Sequence, residues 1–195
     1  MGIVILTVVS TIYAFGRELR YSTALEWLNA SQNSMPAAVI GKMLPVTIIM
    51  TIMIQLILFI LMFIMGIECS GSYLYITLSS ILFIIAYQSV AITIILLTSN
   101  LRLGLSLGGG YAVMAFTFSG ITFPVTAMFD AIQPLSKLFP LSYFSEIFID
   151  QMMLGTPISY DIPKTLILML FILLIAFIWR RLNRVVRNEK YWRKD

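Results

Sequence analysis

Residues 43–67 carry no charged side chain, and only Pro45, Thr47, Thr51, Gln55 and Gly66 relieve an otherwise apolar run. As a helix rising about 1.5 Å per residue, the stretch would extend about 37 Å, enough to cross a hydrocarbon core of about 30 Å with tilt to spare. Uncharged runs follow at 69–101 and 103–129, with a shorter one at 165–179. None has the polar face that a soluble helix needs. The pattern predicts an all-α, polytopic membrane helix bundle.

Finer marks set the boundaries. Residues 1–16 are apolar but stop at Arg17, short of the roughly 20 residues of a full span. No charge precedes them and no cleavage site follows. They read as a partial span, the latter part of a membrane helix whose beginning lies outside this chain, and not as a signal peptide. Over 17–34, Tyr21, Ala24, Leu25 and Leu28 fall at helical spacing while Glu18, Ser22, Glu26 and Asn29 lie elsewhere around the helix. That arrangement predicts an amphipathic elbow lying along the membrane boundary. Asn33, Ser34 and Pro36 then interrupt the helix.

Spans are predicted at 36–67, 73–98 and 103–128. Between 129 and 155, Asp130, Pro134, Lys137, Pro140, Glu146 and Asp150 lie among aromatic and aliphatic residues. Such a segment is too polar to span and too apolar for a solvated loop. Two short re-entrant helices on the outward side fit it, sheltered by protein where the backbone is irregular. A last span at 163–180 leads into a basic tail, 181–195, with Leu182, Val185, Val186 and Trp192 on one side. The expectation is a single domain of about five transmembrane segments.

Charge orients these spans. With Arg17 on the cytoplasmic side and each span crossing once, Arg17, Arg20, Lys42, Arg102 and the seven cations of 180–195 share that side, eleven in all. Lys137 and Lys164, two cations, fall opposite. By the positive-inside rule the C-terminal tail is cytoplasmic. Its basic residues suit anionic lipid at the membrane surface better than nucleic acid, for which no folded basic domain is present.

Composition narrows the chemistry. Charged residues make up 11% of the chain and mean hydropathy is +0.95, where a soluble domain carries about 25% charged residues. Histidine is absent and Cys69 is the single cysteine. Histidine-dependent nucleophilic catalysis, an internal disulfide and a His-containing zinc site are therefore excluded. No ionisable residue falls in the central part of a predicted span, which disfavours a proton-coupled carrier. Gly41-Lys42 lacks the rest of a phosphate-binding loop, and Gly104 and Gly108, four apart in an apolar helix, read as a packing seam. No catalytic residue, metal site or cofactor is expected, and any fuel must be consumed by another chain.

One resemblance spans nearly the whole chain. Gly120-Ile-Thr-Phe-Pro124, then Leu138-Phe-Pro140-Leu-Ser-Tyr-Phe-Ser-Glu146, closing at Met153-Leu-Gly155, resembles the late region of ABC type-2 exporter permeases. Arg17-Glu18-Leu-Arg20-Tyr-Ser-Thr23-Ala-Leu-Glu26, leading to Ile40-Gly41-Lys42-Met-Leu-Pro45, is similar to the cytoplasmic elbow of that family. Full-length members have six spans, so the chain corresponds to the C-terminal part of one. Ser22 stands where relatives often have glycine.

The resemblance implies a membrane subunit that pairs with a second permease, binds cytoplasmic ATPase subunits in the cell (inner) membrane, and exports a substrate. Arg17, Glu18, Arg20 and Glu26 are then candidates for contacting the ATPase, with Asn100 and Arg102 as a smaller second contact. On residue types alone, a charged surface helix without a partner fits the first four equally well. Phe116, Gly120, Phe123 and Pro124 are candidates for the translocation path. Packing and helix bending are the plainer readings of those four. Tyr143 and Glu146 are candidates for the exit, or for anchoring at headgroup level. A non-transporting membrane scaffold is the alternative function.

Overall fold

The computed structural model describes residues 1–122, 129, 133–188 and 191–192. Eight α-helices account for most of them: α1 (Gly2–Tyr21), α2 (Ala24–Ala30), α3 (Met35–Phe59), α4 (Tyr73–Thr98), α5 (Leu101–Phe118), α6 (Gln133–Ser136), α7 (Pro140–Ile149) and α8 (Ile158–Arg187). Single π-helical turns extend α3 over Ile60–Ile64 and α7 over Asp150–Leu154. There is no strand among the described residues. Five helices (α1, α3 with its π turn, α4, α5 and α8) are long and apolar enough to cross a membrane. The protein is an all-α polytopic bundle.

Local chemistry punctuates the chain. Ser72 accepts from the Tyr75 amide at 3.3 Å and starts α4, and Asn100 accepts from the Leu103 amide at 3.1 Å and starts α5. Each side chain satisfies one of the amides that a helix N-terminus leaves without a partner. Pro36 and Pro140 sit in first turns, where a missing N–H costs nothing. Gly155 ends the second π turn at φ +61°, where a Cβ would come 2.8 Å from the Ser70 carbonyl oxygen. Only glycine fits that left-handed crossing.

Helix α4 is the centre. It packs against α1, α3, α5, α7 and α8, and 61% of its most apolar window is buried, against 17% for α3 and 6% for α8. The outer helices present Ile48, Ile52, Leu56, Leu166, Leu170 and Phe177 outward. Such wide apolar faces suit lipid as the solvent. Deep in the bundle, Gln88 of α4 donates to the Met43 carbonyl at 3.0 Å and accepts from Thr47 at 2.9 Å, tying α4 to α3. Internal pairing of this kind replaces the water that a bilayer lacks.

Several element bounds differ from the sequence expectation. The partial span runs to 20 residues because α1 continues through Arg17–Arg20, so the expected rod over 17–34 is broken. Ser22 adopts a left-handed conformation at φ 61°, and the chain restarts as the short α2. The third span ends its regular helix at Phe118, and Gly120 turns the chain at φ +84°. Helix α8 begins five residues before Pro163 and carries on through Arg187, which makes the start of the basic tail a continuation of the last span. Leu182, Val185, Val186 and Trp192 are buried.

Candidate functional site

Polar side chains gather at the two ends of the bundle. At one end, the last turn of α1 carries Glu18 inward, where it is closed off by Leu19 and by Ala24 and Trp27 of α2. Lys42 of α3 reaches it with Nζ 2.8 Å from Oε1, and donates to the Ala14 carbonyl at 2.8 Å. The same ammonium lies 4.4 Å from the Trp27 ring centroid, and Trp27 meets Phe15 edge-on at 5.7 Å. Thr23 donates its hydroxyl to the second Glu18 oxygen, and Arg17 approaches to 3.8 Å. One ion pair therefore holds α1, α2 and α3 together, with a cation–π contact added.

This junction extends to α8. Ala24 and Trp27 share a small cavity with Leu182 and Val186. Arg181 donates to the carbonyls of Leu96 and Leu97 at 2.9 and 3.2 Å, capping the end of α4. The outer face of α2 stays open, with Leu25, Glu26, Asn29 and Ala30 exposed. Helix α2 thus packs against α1, α3 and α8 at once.

At the other end, Lys164 in the second turn of α8 meets three carboxylates. It bonds Asp150 and sits 2.9 Å from Asp161 and 3.9 Å from Glu146. Asp161 is fully buried and accepts from Gln151 Nε2 at 2.8 Å. Gln151, buried as well, accepts from the Ser72 amide at 3.1 Å through Oε1. Its backbone carbonyl takes the Gly71 amide at 2.8 Å. The π turn after α7 is thereby stitched to both the α3–α4 loop and α8. Three carboxylates against one lysine leave this end locally negative. Partial desolvation, with Asp150 and Asp161 close by, pushes the Glu146 carboxyl above its ordinary 4.5, although Lys164 pulls the other way. Desolvation and Glu146 likewise raise the Tyr143 phenol.

Residues 1–180 match the family described as ABC-2 family transporter protein. The chain belongs to that family. Neither a curated protein nor a solved structure matches it significantly. Membership makes the chain an ABC-2 permease: a multi-pass, non-catalytic transport component of a family that works with ABC ATPases.

In this permease the six residues expected at an ATPase contact lie at the same end of the bundle but in different settings. Arg17, Glu26 and Arg102 are exposed, Arg20 is half-buried with its guanidinium 5.9 Å from the Tyr21 ring, and Asn100 is spent on capping α5. Glu18 is turned inward and paired. At the opposite end, Phe116 is half-buried against the core, and Tyr143 donates to the Lys137 carbonyl at 3.1 Å beside Phe171. Gly120 forms the turn after α5. Phe123 and Pro124 lie outside the described residues.

Sequence reasoning missed Lys42, Asp150, Gln151, Asp161 and Lys164 as site residues. Asp161 and Lys164 stand three apart, a spacing that pairs charges on one helix. Pro163 between them suggested a helix start, which hid the signal.

Proposed function

We propose that this permease is the membrane subunit of an ATP-driven exporter, with the α2 end facing the cytoplasm and receiving the ATPase. A second permease copy or homologue completes the path. The observation that carries the reading is the Glu18–Lys42–Trp27 junction. It fixes a short helix, whose open face carries Glu26 and Asn29, to the ends of three membrane helices. ATP binding by a partner seated on that face would move α2 as a lever and shift α1, α3 and α8 together. Eleven cations against two on the expected sides support this orientation.

Substrate would pass between the permeases toward the α7 end, where Tyr143 and Glu146 stand at the surface. The family likeness supports the cell membrane as the location, and the same cation asymmetry supports a tail on the inside. The test is purification from a native membrane, followed by reconstitution with the ABC ATPase that accompanies the chain. ATP hydrolysis that rises on reconstitution and falls on Glu26→Lys or Arg102→Glu is the expected result. A stable lone monomer that neither binds nor stimulates an ATPase would establish the scaffold instead.

A further inference from the structure

A groove of about 440 Å³ opens between α3 and α8, with α4 as its floor. Its size falls within the range of about 300–1,000 Å³ typical of ligand sites. Val39, Met43, Thr47, Ile85, Ile172 and Trp179 line it. The Thr47 hydroxyl is already engaged, by Gln88 at 2.9 Å and by the Met43 carbonyl at 3.0 Å. The groove therefore offers an apolar ligand no unanswered polar group. On both flanks the neighbouring side chains, among them Ile48 and Leu173, are exposed, so the opening faces the hydrocarbon of the bilayer.

Chemistry changes at the α2 end of the groove. Trp179 closes the α8 side there, and Arg180 follows it directly. Asn183 stands four residues beyond Trp179, and Arg187 seven beyond Arg180, each pair on one helix face. Asn183 donates to the Trp179 carbonyl at 3.2 Å, which keeps this turn of α8 regular. Arg180 and Arg187 are exposed and bond to no other described residue. An apolar trough that runs along the membrane and ends at a tryptophan and two arginines has the polarity profile of a phospholipid. Tryptophan belongs at headgroup depth, and guanidinium forks match phosphate oxygens.

We propose that the α3–α8 groove binds one acyl chain of an anionic phospholipid, with the lipid phosphate held by Arg180 and Arg187. The bilayer supplies the occupant at high local concentration, and the two positive charges select anionic over zwitterionic headgroups. The site goes beyond the transport reading and does not depend on it. A lipid there would wedge α3 against α8, the two least buried long helices, which otherwise meet mainly through α4.

Trp179 is a built-in reporter. The protein is reconstituted into phosphatidylcholine vesicles containing a few per cent of either chain-brominated phosphatidylglycerol or chain-brominated phosphatidylcholine. Fluorescence quenching is measured, with a Trp179→Phe variant giving the background of Trp27 and Trp192. Brominated phosphatidylglycerol is expected to quench at an about 25-fold lower mole fraction, roughly five-fold for each of the two arginines engaged. Arg180→Gln with Arg187→Gln should abolish the preference but leave quenching by chains. Leu44→Phe with Ile172→Phe, which fills the groove, should abolish the high-affinity component itself. Circular dichroism and gel filtration verify that each variant is folded. Equal quenching by both lipids in the unaltered protein overturns the proposal. So does a preference that survives groove filling, since the tail alone would then attract the lipid, or a groove that a second copy covers on cross-linking.

Discussion

Lys42 Nζ and Glu18 Oε1 stand 2.8 Å apart where α1 and α3 converge, and their side chains are 14% and 11% exposed. Removing one member leaves the other charged and largely desolvated, the costly half of a broken pair. Lys42→Met should therefore destabilise the protein by about 3 kcal/mol, the lower end of the usual loss because both groups keep some solvent. Glu18→Gln combined with Lys42→Met should recover a substantial part. Unfolding by detergent titration, arranged as a double-mutant cycle, reads the coupling directly.

The second network makes a parallel prediction. Lys164→Met strips Asp150 and the fully buried Asp161 of their shared cation. Its cost should match or exceed about 3 kcal/mol, and it should loosen residues 140–154 in particular. Amide hydrogen exchange should quicken there, while α1 and α3 keep their protection.

How much of this was readable beforehand depends on which force fixed it. The spans were legible because lipid tolerates only long uncharged helices, a rule that acts on sequence locally. The break at Ser22 was not. Serine has no strong preference for the left-handed conformation, and the turn is held by Thr23 and Lys42 converging on Glu18. Gln151 was equally silent: its partners lie at Ser72, Thr156 and Asp161, and no pattern along the chain brings those positions together. The exposure of Arg17 and Glu26 was legible from their charge, whereas the inward turn of Glu18 required the fold.

Helix approach gives a sharper contrast. A Cβ on Gly108 would fall on Ile12 and come 2.9 Å from Val8 Cγ1, both on α1. Gly109, the next residue, has nothing within 4 Å of such an atom. Gly108→Ala should thus destabilise by about 1–3 kcal/mol through overpacking, and Gly109→Ala should stabilise by up to about 1 kcal/mol through helix propensity. Opposite shifts in melting temperature from adjacent, chemically identical substitutions would locate the α1–α5 seam.

Glu146 sets a pH dependence. Its carboxyl is raised in the folded protein above the ordinary 4.5, so the native state holds the proton more tightly than the unfolded chain does. Stability from this group is present at low pH. It is lost as pH climbs from about 4.5 through the elevated folded value. Glu146→Gln should remove that slope, and the difference between the two pH–stability curves should be confined to this window. The exposed position of Glu146 keeps the effect small.

Export driven from the cytoplasm requires the α2 end to lie inside the cell. On a Cys69→Ser background, cysteine can be placed at Glu68, exposed in the α3–α4 loop, or at Glu26 and Arg184, exposed at the α2 end. A membrane-impermeant maleimide applied to intact cells should label Glu68→Cys and spare Glu26→Cys and Arg184→Cys until the membrane is opened. Five crossing helices put the two sets of positions on opposite faces, so the three sites must sort into these two groups whichever way the protein is inserted. The reverse pattern would set the α2 lever outside the cell, beyond the reach of any cytoplasmic ATPase.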